Sequence, residues 1–151
     1  MRAVDTNVIV RLIVRDDARQ TASAEQFIRG GVWLSVLGLA ETVWVLGRTY
    51  EFSSQDLIAA IEMLLRERDL VLQDVEAVED ALALFRSKRA LGFSDCLMLS
   101  LARKAGHLPL GTFDRNLGRV DAPTSSSGLC QNRLPDGRGS VMPWPVSKPT
   151  P

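Results

Sequence analysis

The chain has 151 residues, 46% of them apolar and 24% charged, with 18 basic against 18 acidic side chains. This composition suits one globular domain; it excludes a chain disordered throughout, and zero formal net charge excludes a basic nucleic-acid coat protein. No apolar run approaches the roughly 18 residues of a membrane span. Met1-Arg2-Ala3-Val4-Asp5 meets an acid too early for a secretory signal, and two cysteines, Cys96 and Cys130, build no disulfide framework, so a reducing cytoplasm is expected.

In chain order, Ala3-Val4 reads as a short strand ending at Asp5. Residues 7–14 carry a helical stripe (Val8, Ile9, Leu12, Ile13), and 18–29 a second helix closed by Gly30-Gly31. Val32 to Ser35 reads as a strand and 36–48 as an apolar helix. Ser53 or Ser54 caps a helix over about 55–67 whose face shows Leu57, Ile58, Ile61, Leu64 and Leu65. Leu70-Val71-Leu72 is a strand, followed by a helix over about 76–90. Ser94 is expected to cap a helix running to Ala105, stopped by Gly106, and Leu108 to Thr112 reads as a last strand. Strands alternating with helices predict an α/β layer with a parallel sheet, whose sites lie beyond the carboxyl ends of the strands. Composition shifts near residue 122. Six of the seven prolines lie in 122–151, which also hold Ser125-Ser126-Ser127 and Gly137-Arg138-Gly139, and they are expected to form a poorly ordered extension. That tail carries a net charge of +2, leaving the body, 1–121, at −2.

Four acids stand outside the charged, solvated contexts typical of the rest. Asp5 ends the first strand. Glu41 lies within the apolar run 36–46, where a buried lone carboxylate has to be paired, protonated or on a metal. Asp95 begins the 94–105 helix, and Asp114 follows the last strand. Taken singly, Asp5 also suits a helix cap, Asp95 the positive end of a helix dipole, Asp114 a turn and Glu41 an arginine pair. Taken together, clustered carboxylates repel unless a cation sits among them, and all-oxygen ligands select Mg²⁺ or Mn²⁺ over zinc. Such a site suits metal-dependent phosphodiester hydrolysis. His107 is the only histidine and suits a cap or surface role, Cys96 a buried small hydrophobe, and Trp33 and Trp44 the core or a dimer surface.

The ordered set Asp5-Thr6-Asn7, Asp16-Asp17, Ala40-Glu41 before Val43-Trp44-Val45-Leu46, Ser94-Asp95-Cys96-Leu97, and Thr112-Phe113-Asp114-Arg115-Asn116-Leu117 resembles the PIN-domain family, and within it the VapC-type toxins of bacterial toxin–antitoxin pairs. The resemblance covers about residues 1–121; 122–151 depart from the family pattern. It implies an α/β/α sandwich with a mostly parallel central sheet, and an Mg²⁺- or Mn²⁺-dependent endoribonuclease leaving 5′-phosphate and 3′-hydroxyl ends. Asp5, Glu41, Asp95 and Asp114 match the family's acidic quartet. Asp5 and Asp95 would be the principal metal ligands; Glu41 and Asp114 would complete the shell, hold a second ion or act through water. Asn7 and Thr112 match positions that orient carboxylates. Arg115 and Arg119, beside Asp114, are the favoured contacts to RNA phosphates. The resemblance also implies a homodimer and a small inhibitory antitoxin partner. Two alternatives stand beside the toxin: a PIN-type nuclease of RNA processing, and a binding-only homologue that sequesters antitoxin.

Overall fold

The structure, a computed structural model, describes residues 1–120; the expected extension over 122–151 lies outside the described residues. The chain divides after Leu108 into two units, and the described part of the second is residues 109–120.

The first unit is built on three short parallel strands, β1 (Arg2–Ala3), β2 (Val32–Leu34) and β3 (Leu70–Leu72), in the order β1-β2-β3. Arg2 pairs with Val32 and Ala3 with Trp33; Val32, Trp33 and Leu34 pair with Leu70, Val71 and Leu72. Parallel neighbours need long crossovers, and helices supply them. Here α1 (Thr6–Val14) and α2 (Ala18–Ile28) connect β1 to β2, and α3 (Val36–Thr49) and α4 (Ser54–Arg66) connect β2 to β3. Helices α5 (Val75–Ser87) and α6 (Phe93–Lys104) follow. α1 packs on α2 and α3, α3 on α4 and α6, and α5 on α4 and α6. This is the expected α/β architecture with an all-parallel sheet.

Period-two alternation fixes which strand residues enter the core. Val32, Leu34, Leu70 and Leu72 are buried, while Trp33 and Val71, paired across the strands, are exposed. Trp33 therefore does not join the core. The turn into β2 uses Gly30 and Gly31, both at positive φ near 90°. Tyr50 Oη and the Arg11 guanidinium both meet Asp16, which ties the loop after α1 to the end of α3.

Two expected elements differ. The 94–105 helix starts at Phe93 with Gly92 as its N-cap, not Ser94, because the Asp95 carboxylate reaches back to accept the Gly92 N–H at 3.1 Å. In the second unit, the expected strand Leu108–Thr112 is reduced to a single bridging residue, Thr112. A short helix, α7 (Arg115–Val120), follows Asp114 and buries Leu117.

Candidate functional site

Three of the four singled-out acids belong to the first unit, and all three sit at or near the start of a helix. Asp5 leaves β1 in an extended conformation, and its Oδ1 accepts the Val8 N–H at 3.1 Å as N-cap of α1. Asp95 is the third residue of α6 and closes the turn onto Gly92. Glu41 lies in the second turn of α3, which opens after β2 with Ser35 as N-cap, its Oγ accepting the Gly38 N–H at 3.0 Å. α3, which carries Glu41, packs on both α1 and α6, which carry Asp5 and Asp95.

Glu41 is exposed rather than buried, which corrects the expectation drawn from its apolar surroundings. Helical periodicity explains the difference. Leu39, Thr42, Val43 and Leu46 form the buried stripe of α3, and Leu37, Glu41, Trp44 and Arg48 form the opposite, exposed one. Leu37 and Trp44 are 76% and 61% exposed, so the large apolar residues around Glu41 face solvent with it. Trp44, like Trp33, lies outside the core.

The partner that holds Glu41 is a hydroxyl. Thr6 Oγ1 donates to Glu41 Oε2 at 2.6 Å and lies 3.5 Å from the Gly38 carbonyl, which Thr42 Oγ1 engages at 2.7 Å. Thr6 was not among the residues singled out from the sequence. The signal was present, as a β-branched hydroxyl on the first helical residue after a strand-end acid. Asn7, the residue expected to orient a carboxylate, is exposed on the first turn of α1 and makes no hydrogen bond to any of the four acids among the described residues. It lines a mainly apolar groove of about 380 Å³ between α1 and α2, with Val8, Ala24 and Phe27 inside and Arg11 and Arg19 beside them.

In the second unit, Asp114 Oδ1 accepts the N–H groups of Asn116 and Leu117 at 2.7 and 3.3 Å, which starts α7. Thr112 Oγ1 accepts the Asp114 N–H at 3.0 Å; it fixes the backbone of the acid, not its carboxylate. Arg115 and Arg119 are exposed on α7.

Each of the four carboxylates thus spends one oxygen on a donor, local for Asp5, Asp95 and Asp114 and across the α1–α3 contact for Glu41, and keeps the other without a donor among the described residues. The remaining oxygens are all carboxylate oxygens, with no histidine or thiolate among them. That chemistry fits a hard divalent cation, which takes few carboxylates and retains waters or substrate oxygens. Among the described residues no three His, Cys, Asp or Glu side chains gather closely enough to enclose an ion. Cys96, adjacent to Asp95, is no ligand candidate: it is fully buried, and burial pushes its thiol up to about 11. His107 is exposed beyond the end of α6, where its N–H reaches the Ala102 carbonyl at 2.9 Å.

Acids at the carboxyl ends of parallel strands and the starts of the following helices mark where α/β sheets place chemistry. The PIN-domain family matches residues 2–123. The chain is a PIN domain. No curated protein and no solved structure matches it. PIN domains are nuclease-type domains that typically use divalent metal ions. Among its described residues no helix is long and apolar enough to cross a membrane.

Proposed function

We propose that this PIN domain is a VapC-type endoribonuclease, the toxin of a toxin–antitoxin pair, acting in the cytoplasm with Mg²⁺ or Mn²⁺. The observation that carries the reading is the set of carboxylates that begin α1, α6 and α7 and face out from α3, each with one oxygen still available. Asp5 and Asp95 would hold the cation, and Glu41 and Asp114 would complete its surroundings or act through water. The cation, when bound, supplies charge to the scissile phosphate and lowers the pKa of water. The chain's own groups do the positioning. The Val8 N–H fixes Asp5, the Gly92 N–H fixes Asp95, and the Thr6 hydroxyl fixes Glu41, so the acids need little reorganisation when substrate arrives. Arg115 and Arg119, exposed beside Asp114, would bind RNA phosphates flanking the cleaved bond.

Two surfaces are where such partners would dock. The apolar groove between α1 and α2, with Arg11 and Arg19 beside it, suits an antitoxin segment carrying apolar and acidic side chains. The exposed Leu37 and Trp44 suit a homodimer contact.

The test is incubation of purified protein with total cellular RNA and Mg²⁺ or Mn²⁺, beside an EDTA control and Asp5→Asn. Discrete fragments with 5′-phosphate ends, lost in both controls, are expected. Cleavage that survives EDTA and Asp5→Asn would overturn the assignment. The binding-only reading has one observation in its favour, the lack of a three-acid cluster among the described residues. It predicts antitoxin binding with no turnover under the same conditions.

A further inference from the structure

We propose that Thr6 is the positioning residue of the site: its hydroxyl, donated across the α1–α3 contact, holds the Glu41 carboxylate in place for cation binding. The inference rests on the reading of Glu41 as part of the metal surroundings, and it gives a role to a residue of the Asp5-Thr6-Asn7 triplet to which the sequence resemblance assigned none.

Thr6 is only 8% exposed, whereas Glu41 is exposed. An exposed glutamate samples several rotamers, and ordering it costs side-chain entropy. A hydroxyl fixed in the protein interior offsets that cost. The Thr6 backbone is set by the first turn of α1, started by Asp5, and its β-branched side chain has few rotamers. The hydroxyl has one proton and two acceptors within reach. Glu41 Oε2 lies at 2.6 Å and the Gly38 carbonyl at 3.5 Å, so the proton goes to the carboxylate.

A Cβ at Gly38, whose carbonyl lies beside the Thr6 hydroxyl, would stand 2.8 Å from Cδ1 of the fully buried Leu34, so a side chain there would have to displace Leu34. Asp5 and Glu41 are separated by 36 positions in sequence, yet Thr6 follows the first directly and grips the second. One residue thereby couples two of the acids.

The experiment is a double-mutant cycle between Thr6→Val and Glu41→Gln, with Thr6→Ser as the conservative control. It is read in two ways on the full chain: unfolding equilibria in EDTA, and Mn²⁺ affinity by electron paramagnetic resonance. Valine keeps the shape of threonine and removes the hydroxyl. In EDTA, the two substitutions are expected to couple by about tenfold in the unfolding constant, as a hydrogen bond to a charged group does. Thr6→Val is expected to weaken Mn²⁺ binding by about tenfold or more. Thr6→Ser should stay near wild type, and Thr6→Val should have no added effect on Mn²⁺ in the Glu41→Gln background. Absence of coupling in EDTA overturns the proposal whatever the metal result. Mn²⁺ binding weakened by Glu41→Gln but untouched by Thr6→Val overturns it while leaving the metal site standing. Mn²⁺ binding indifferent to Asp5→Asn and Glu41→Gln overturns the site itself, and the proposal with it.

Discussion

Asp5 has two duties that a pair of substitutions separates. Its Oδ1 caps α1 through the Val8 N–H, and its charge is assigned to the cation. Asp5→Asn keeps an acceptor oxygen at the cap, and asparagine ranks with aspartate as an N-cap. It loses only the interaction of a negative charge with the helix dipole, about 0.3–1 kcal/mol and toward the lower figure at this exposed position. Asp5→Ala loses the same charge and the capping bond, a further ~1 kcal/mol. The alanine variant should therefore unfold some 3–5 °C below the asparagine one, roughly what 1 kcal/mol moves in a domain of this size. Calorimetry in EDTA at one ionic strength is the assay, since a bound cation would stabilise only the variants that retain affinity. RNA cleavage should be lost in both. Equal melting temperatures for the two variants would refute the capping argument. Cleavage retained by Asp5→Asn would refute the role of the charge.

The other predictions concern packing, acid stability and thiol chemistry. Gly38→Ala gains about 1 kcal/mol of helix propensity but drives a Cβ into Leu34, an overpacking cost of about 1–3 kcal/mol, so a net loss is expected by urea titration, with weaker Mn²⁺ binding. Leu46→Ala, at a fully buried position of α3, should cost about 2–5 kcal/mol in the same assay. The hydrogen bonds from Arg11 hold the Asp16 carboxyl below its usual range. A folded-state pKa below the unfolded one gives stability that is complete above about pH 4 and lost as pH falls through the folded value. Asp16→Asn should therefore flatten the acid limb of a melting-temperature profile below pH 4 and leave its shape near neutrality unchanged. Native Cys96 should resist iodoacetamide at pH 8, as judged by peptide mass mapping, and react only when the chain unfolds; rapid native labelling would contradict its burial.

Local signals carried most of the architecture. β3 occupies Leu70–Leu72 as its apolar triplet predicts, and the helix stripes and the serine cap at Ser53 appear where periodicity places them. What local reading misjudged was set by tertiary geometry. An apolar run implied burial for Glu41, but α3 is covered on one face only, and the run wraps around both. Ser94 is a better intrinsic cap than Gly92, yet Asp95 reaching backwards moves the start of α6 by two residues. Leu108 to Thr112 has strand composition, but the structure keeps only a bridge at Thr112. That Asp5, Asp95 and Asp114 stand at or near helix starts was legible, because helix starts are local features. The grip of Thr6 on Glu41 was not, because it depends on how closely two helices 30 residues apart approach.

The economy of these acids bears on how such a gene decays. Each carboxylate anchors a backbone or hydroxyl donor, so a lineage that abandons the proposed catalysis is not free to place any residue there. Drift at position 5 should favour asparagine and serine, which keep the first turn of α1, over alanine or leucine. Descendants that have lost chemistry would then keep a quartet eroded only in charge, with polar caps of similar size marking where the acids stood.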